Sequence, residues 1–133
     1  RRVGWPGPKP GIMPGAGGTQ RLPRLIGAAK AKELIFTGRR ISGERAAEIG
    51  IANKAVPSGE VLVRAGELAG EMADSAPIAL AQAKRAIDAG LQADLETGLE
   101  MESRAYEVTL GTEDREEGLE AFREGREPEF EGK

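Results

Sequence analysis

The sequence predicts a predominantly α-helical chain with one or two short strands. Apolar residues recur at spacings of three and four along most of residues 58–124, which is the period of one helix face. Residue types suited to helix starts alternate with glycines suited to helix ends. Aromatic residues are only 4% of the 133 positions, so we expect a core of Leu, Ile, Val and Ala.

The first part of the chain is predicted as short helices separated by glycines. Residues 1–10 contain three prolines and two glycines, so we expect an extended segment there, without a helix, a hairpin or a first strand. We expect helices over 19–26, 28–36 and 43–49, and extended pieces over 39–41 and 51–56. Ser42 is the expected cap of the third helix.

Residues 58–124 are predicted as four amphipathic helices. Ser58 and Ser75 are the expected caps of the first two, with Pro77 in the first turn of the second. Asp94 and Thr112 are expected to cap the third and fourth. The first helix should have one buried face, formed by Val61, Leu62, Ala65, Leu68, Ala69 and Met72. Apolar stripes of the next two contain Leu80, Ala83, Ile87 and Leu91, then Leu95, Leu99, Tyr106 and Leu110.

The composition excludes several classes of chemistry. The chain has no cysteine and no histidine, so disulfides, thiolate catalysis and Ser-His or Cys-His arrangements are ruled out, and no metal site is expected. Acid–base work would need Glu, Asp, Lys, Tyr or bound water. No run of apolar residues approaches the length of a membrane span and no signal peptide is visible, so we expect a one-domain cytoplasmic protein with no membrane partner.

Charge is distributed unevenly along the chain. Residues 1–40 have a net charge of +8, and residues 41–133 have a net charge of −11. The basic part could attract an anionic ligand, but no aromatic residues are interleaved with it, so no nucleic-acid partner is expected. Glu44, Glu48 and Glu60 are expected at capping or exposed positions, not as catalytic acids.

A glycine-rich segment is the most distinctive motif of the chain. Residues 11–22 read Gly-Ile-Met-Pro-Gly-Ala-Gly-Gly-Thr-Gln-Arg-Leu. A glycine-rich bend that enters a helix presents backbone N–H groups. The segment lacks the lysine of a P-loop and the spacing of a dinucleotide fingerprint. It is therefore either a structural turn before a helix or a bend whose main-chain donors face a ligand.

This motif, together with others downstream, resembles the enoyl-CoA hydratase/isomerase (crotonase) family. The matching segments are the one above, Phe-Thr-Gly-Arg-Arg-Ile-Ser from Phe36, Ala-Ala-Glu-Ile-Gly-Ile-Ala-Asn-Lys-Ala-Val from Ala46 and Thr-Glu-Asp-Arg-Glu-Glu-Gly-Leu-Glu-Ala-Phe from Thr112. They follow the order and spacing of the family through residues 11–126.

The resemblance implies an α/β fold, a spiral of ββα units, of which only the C-terminal part is present here. Residues 1–10 would be an irregular segment that departs from the family pattern. Residues 11–57 would end the spiral core, and residues 58–133 would be a helical oligomerisation region. It also implies a homotrimer or hexamer. The upstream half of the family would supply two oxyanion N–H groups and the first catalytic glutamate.

Site residues follow from the same resemblance. The Gly15 N–H would bind the catalytic water, and Gly7 stands where the family has its second glutamate, in Trp-Pro-Glu-Val-Lys-Leu-Gly. The substrate-binding positions would be Pro6, Gly11, Pro14, Tyr106 and Phe122, although core packing is an equal alternative for the two aromatics. The subunit contact would involve Thr19, Gln20, Arg21 and Arg24. Lys30, Arg39 and Arg40 could meet CoA phosphates, but ordinary surface charge is the simpler interpretation.

The resemblance implies an enoyl-CoA hydratase, which adds water to 2-enoyl-CoA thioesters in fatty-acid or related acyl-CoA metabolism. The acyl-CoA is the substrate and no cofactor is expected. Because the catalytic glutamates are absent, these 133 residues should be inactive alone. A non-catalytic helical assembly module and an enoyl-CoA isomerase remain the alternatives.

Overall fold

The structure is a computed structural model that describes residues 2–4 and 11–133. Its contacts divide the chain into two compact units, which we call unit 1 (Arg1–Arg64) and unit 2 (Ala65–Lys133). The elements are β1 (Arg2–Val3), α1 (Gly18–Ile26), α2 (Ala28–Thr37), β2 (Ile41–Ser42), α3 (Gly43–Glu48), α4 (Val61–Ala73), α5 (Pro77–Gly90), α6 (Leu95–Leu110) and α7 (Glu113–Glu124). Within the described ranges, no helix has the length and apolarity needed to cross a bilayer.

The core of unit 1 lies between α1 and α2. Gly27 joins the two helices with φ of +82°, a conformation that side chains with a Cβ rarely adopt. This single-residue junction brings the apolar faces of the helices together, and Ala31 at the contact is only 1% exposed. The core residues are Leu22, Ile26, Ala31, Leu34, Ile35 and Ile49, with Ile41 and Ile51 packed at the edge.

A short antiparallel pair of strands corrects two of the sequence predictions. β1 pairs with β2, with Arg2 opposite Ser42 and Val3 opposite Ile41. A first strand was not expected near the N-terminus. Residues 51–56 were expected to be extended, but they form bends and irregular backbone, because no strand among the described residues is available to pair with them.

The helix caps agree in part with the sequence. Ser42, Asp94 and Thr112 each accept a hydrogen bond from the backbone N–H three residues later, at 3.2, 3.0 and 3.2 Å. The predicted caps at Ser58 and Ser75 are wrong. α4 begins only at Val61.

The N-cap of α5 is Ala76, and no side chain caps this helix. Pro77 at the first helical position explains the difference from the sequence prediction. Proline holds the preceding residue extended, so the helix boundary falls at Ala76, one residue after the serine.

Unit 2 is held together by small residues rather than by a large apolar core. α5 and α6 pack against each other, and a Cβ placed on Gly90 would lie 3.7 Å from the Cα of Gly98. No residue of α4, α5 or α6 is fully buried. The predicted buried face of α4 is therefore wrong for this chain: Leu62 is 86% exposed, because no described element covers that face.

The core of unit 1 predicts a sharp contrast between two leucines of α1. Leu22 is 3% exposed and Leu25 is 58% exposed. Leu22→Ala should lower the free energy of unfolding by about 3 kcal/mol, because it removes buried methyl groups and leaves a cavity. Leu25→Ala, the matched control, should change it by less than about 0.5 kcal/mol. Urea denaturation monitored by circular dichroism measures both, and equal losses would contradict the assigned core.

Candidate functional site

The glycine-rich segment forms a tight bend that leads directly into α1. The N–H of Gly18 donates to the carbonyl of Gly15 at 3.0 Å. The two central residues, Ala16 and Gly17, have φ of +49° and +82°, the signs that a type I′ turn requires. Alanine in this region is strained by about 1 kcal/mol. Gly17 is also the N-cap of α1, and its carbonyl accepts from Gln20 and Arg21 at 3.0 and 2.8 Å.

The bend exposes main-chain hydrogen-bond donors. The N–H groups of Gly15, Ala16 and Gly17 donate to no other residue in the described part of the chain. Gly15 and Ala16 are exposed. No side chain caps α1, and its first turn contains no acidic residue. The bend therefore presents three N–H groups that have no acceptor among the described residues, beside the positive end of a helix.

Gly15 and Gly17 differ in whether the fold itself requires a glycine. At Gly17 a Cβ would lie 3.0 Å from Nε of Arg21, and φ is positive, so the fold itself requires glycine. At Gly15 φ is not in the left-handed region and a Cβ would meet no atom within 4 Å. The described fold does not require glycine at position 15, which is the pattern expected where a ligand approaches the backbone closely.

The other predicted residues of this segment are placed as follows. Gly11 has φ of +81° and is exposed, whereas Pro14 is buried. Ile12 and Met13 between them are 62% and 73% exposed. Pro6 and Gly7 lie outside the described residues.

Comparison with known proteins now identifies the family. The model of the enoyl-CoA hydratase/isomerase family matches residues 2–133. The chain belongs to the enoyl-CoA hydratase/isomerase family.

Individual relatives agree with this assignment. The chain is 50% identical over 127 residues to mouse "enoyl-CoA hydratase domain-containing protein 2, mitochondrial", covering 92% of this chain and 43% of that protein. It is 43% identical over 125 residues to the short-chain-enoyl-CoA hydratase of Clostridium acetobutylicum, covering 94% and 48%.

The solved structures agree with the sequence comparisons. The crystal structure of an enoyl-CoA hydratase from Bacillus anthracis superposes with a TM-score of 0.81 at 54% identity, covering 92% of this chain and 47% of that one. The chain thus spans about half the length of the relatives it matches. Its fold is a partial crotonase fold, as the sequence predicts, and the described residues are mostly helical with one short strand pair.

The two late aromatics that the family resemblance singled out are exposed. Tyr106 on α6 is 63% exposed and Phe122 on α7 is 87% exposed. Core packing, the alternative for both positions, does not hold in this chain. Tyr106 borders an open groove of about 470 Å³ between α5 and α6, whose apolar lining includes Ala83 and Ile87.

The polar residues of α1 that were predicted at a subunit contact form a local network. Arg24 donates to the carbonyl of Gln20 at 3.0 Å and to its side-chain oxygen at 3.2 Å. The Gln20 amide donates to Thr19 at 3.4 Å, and Arg21 lies against the Cα of Gly17. These contacts fix the side chains locally, and their role in a subunit contact stays a prediction.

The basic residues considered for CoA phosphates, Lys30, Arg39 and Arg40, are exposed. Arg39 forms an ion pair with Glu33 at 3.3 Å. The side chain of Arg40 lies so close to Gly4 that a Cβ there would be 2.8 Å from its Cγ. Phosphate binding by these residues stays a prediction.

The glutamates considered as substitute acids lie at exposed positions of the surface, one of the two placements that the sequence predicts for them. Glu44, Glu48 and Glu60 are all exposed. A hydrogen bond from its own backbone N–H, with a second from Ser42, lowers the pKa of Glu44. Glu48 pairs with Arg45 at 2.8 Å. A carboxyl with a lowered pKa is ionised at neutral pH and is a weaker general base.

Two further carboxyls have lowered pKa values for structural reasons. At Asp94, hydrogen bonds from the backbone and the hydroxyl of Thr97 lower the pKa. At Glu117, hydrogen bonds from Arg126 and then from the Glu129 backbone lower the pKa to about 2. In turn, the hydrogen bond to Glu117 raises the pKa of Arg126. The pKa values of Glu44, Asp94 and Glu117 are thus all lowered. These carboxyls are ionised at neutral pH and have no proton to deliver.

Glu117 should make unit 2 sensitive to acid. Its pKa falls from 4.5 to about 2 on folding, so its stabilising contribution is present above pH 4.5 and is lost as the pH falls toward 2. Glu117→Gln should make the free energy of unfolding less dependent on pH across this window. Urea titrations at several pH values test this. The matched control is Glu120→Gln on the same helix, which should keep the wild-type slope. An unchanged slope for Glu117→Gln would refute the assignment.

Proposed function

We propose that these residues are the C-terminal part of an enoyl-CoA hydratase, which adds water to 2-enoyl-CoA thioesters in fatty-acid or related acyl-CoA metabolism. The observation that carries the proposal is the exposed bend at Gly15, where three N–H donors have no acceptor in the described part of the chain, in a sequence that matches this family over residues 2–133. The names of the relatives, which include a short-chain-enoyl-CoA hydratase, support the substrate class.

In the proposed mechanism this chain positions the water, and carboxylates outside the described residues move the protons. The N–H of Gly15 donates to the oxygen of the attacking water and orients its lone pair toward the β-carbon of the thioester. One carboxylate removes a proton from that water, and a second carboxyl group, in its protonated form, delivers a proton to the α-carbon. Main-chain donors hold the enolate oxygen that develops in between.

Gly7 makes the present chain inactive in this proposal. The family resemblance places a glutamate at that position, and glycine has no group that can transfer a proton. The same enolate chemistry also serves an enoyl-CoA isomerase, which moves a double bond instead of adding water, so isomerisation is the alternative reaction for the complete protein.

The proposed partners are an acyl-CoA thioester and further copies of the chain in a trimer or hexamer. The exposure of Tyr106 and Phe122 supports a contact with acyl chain or subunit at these aromatics, because large aromatic side chains so far out of a core are stabilised when another surface covers them. A cytoplasmic location remains part of the proposal.

A chimera tests the proposed reaction. Residues 1–133 are joined to the remaining half of the Clostridium acetobutylicum short-chain-enoyl-CoA hydratase, and crotonyl-CoA hydration is followed by the loss of ultraviolet absorbance. The chimera should be inactive as it stands, and Gly7→Glu should raise its rate by at least about 100-fold, because it restores an acid–base group. A folded chimera that stays inactive with the glutamate would overturn the hydratase proposal.

Two glycines provide a matched control for the role of the bend. At both Gly15 and Gly59 an added Cβ would meet no atom within 4 Å, and both have φ outside the left-handed region. In the active chimera Gly15→Ala should lower kcat, whereas Gly59→Ala should leave it unchanged. Equal effects of the two changes would remove Gly15 from the mechanism.

A second candidate function is a non-catalytic helical assembly module. The observation that favours it is the exposure of apolar side chains on α4, α5 and α6, including Leu62 at 86%, Ile87 at 60% and Leu95 at 78%. Exposed apolar surface of this extent marks an interaction site. In this alternative the late helices bind partner subunits whether or not the glutamate is present.

Sedimentation analysis tests the assembly module. The purified chain should sediment as an oligomer, and Ile87→Asp in the groove between α5 and α6 should shift it to a monomer, because it places a charge in an apolar contact. Gln92→Asp, an exposed polar position just after α5, is the control and should leave the oligomer intact. A monomeric wild-type chain would argue against this function.

A further inference from the structure

The C-terminal residues 126–133, which we call the strap, run back along α7. The strap begins after Gly125, which ends α7 with φ of +70°. α7 has 12 residues and is about 18 Å long at 1.5 Å per residue. Eight extended residues span about 26 Å, so the strap is long enough to return to the start of the helix.

Asp114, in the first turn of α7, holds the end of the strap. It is 3% exposed, and among the residues that the structure describes it is the only polar or charged one that is buried. One carboxylate oxygen accepts from the N–H of Glu131 at 2.7 Å. The N–H of Gly132 donates to both oxygens, at 3.2 and 3.0 Å. The backbone N–H of Asp114 donates in return to the carbonyl of Lys133 at 3.3 Å.

A second carboxylate, one turn further along α7, holds the start of the strap. Glu117 accepts from Nη2 of Arg126 at 2.9 Å and from the N–H of Glu129 at 2.8 Å. Asp114 therefore binds the backbone of the strap, whereas Glu117 binds chiefly the guanidinium of Arg126, together with the one backbone N–H of Glu129. Such charge-assisted hydrogen bonds are stronger than neutral ones.

Between these anchors the strap contributes an aromatic ring to unit 2. A Cβ placed on Gly118 would lie 3.5 Å from the ring of Phe130, so this glycine lets the ring lie directly on α7. In the same way, a Cβ placed on Gly132 would lie 3.5 Å from Cγ of Pro77, the first residue of α5. Phe130 lines an apolar cleft of about 310 Å³ together with Tyr106, Leu110 and Leu119.

We propose that the strap is a releasable wall of this cleft and that Asp114 is its latch, so that loss of the contacts between Asp114 and the strap opens the cleft beside Tyr106. The latch acts on the backbone of the strap, so the side chains at positions 131 and 133 are free to vary. The inference stands apart from the proposed reaction, because it requires neither substrate nor catalytic glutamate.

Fluorine NMR of the full chain tests the latch. The chain has three phenylalanines, and labelling with fluorophenylalanine gives one signal each from Phe36, Phe122 and Phe130. Phe36 and Phe122 are 65% and 87% exposed, so they serve as internal references. Asp114→Asn puts an amide N–H₂ against the N–H of Gly132. The Phe130 signal should then move to the solvent-exposed position, while the other two stay in place.

Amide exchange gives a second measure of the same event. The N–H groups of Glu131 and Gly132 should exchange at least tenfold faster in Asp114→Asn, with the amides of α6 unchanged. Glu113→Gln, next to the latch and with the same change of charge, should leave both measurements at their wild-type values.

A second variant tests the latch from the side of the strap. Gly132→Pro removes the N–H that Asp114 accepts and also excludes the φ of +75° that Gly132 has, because proline fixes φ near −65°. Both effects act to release the strap, and no residue of a helix is changed. It should move the Phe130 signal in the same direction as Asp114→Asn. A Phe130 signal that stays in place in both variants would overturn the proposal, as would an equal response to Glu113→Gln.

Discussion

The left-handed backbone at Ala16 and Gly17 is the constraint on which unit 1 depends. Two successive positive φ values reverse the chain and deliver it into α1, so that Leu22 and Ile26 reach the core. The same reversal turns the N–H groups of the bend away from other backbone. One local conformation thus starts the helix and also leaves three N–H donors without an acceptor among the residues that the structure describes. This links the packing of unit 1 to the chemistry that we propose for it.

Unit 2 follows a different physical principle. Its helices contact one another through small residues, as at Gly90 and Gly98, and leave most of their large apolar residues exposed. Burial of apolar area supplies the main driving force for folding. The hydrogen bonds that the strap donates to two carboxylates of α7 therefore contribute more to the stability of this unit than they would beside a large apolar core.

The described residues provide main-chain hydrogen-bond donors at the candidate site but no carboxyl group that is suited to transfer a proton there. The described residues supply main-chain N–H groups at the bend. Their carboxyls with lowered pKa values instead accept hydrogen bonds at helix starts or from Arg126, and these hydrogen bonds keep them ionised. Catalysis of thioester hydration needs both kinds of group. For this reason the proposed mechanism assigns proton transfer to carboxyl groups outside the described residues.

The sequence by itself determined the family, the helical character, the caps at Ser42, Asp94 and Thr112, and the bend at Gly15, because each depends on residues close together in the chain. Only the tertiary structure decided which apolar faces are covered. A 3.6-residue period shows that a helix has an apolar face but not whether another element reaches it, and the prediction for the face of α4 was wrong for that reason. The latch at Asp114 was also invisible in the sequence, because its hydrogen bonds join residues 17 and 18 positions apart through backbone groups that every residue carries.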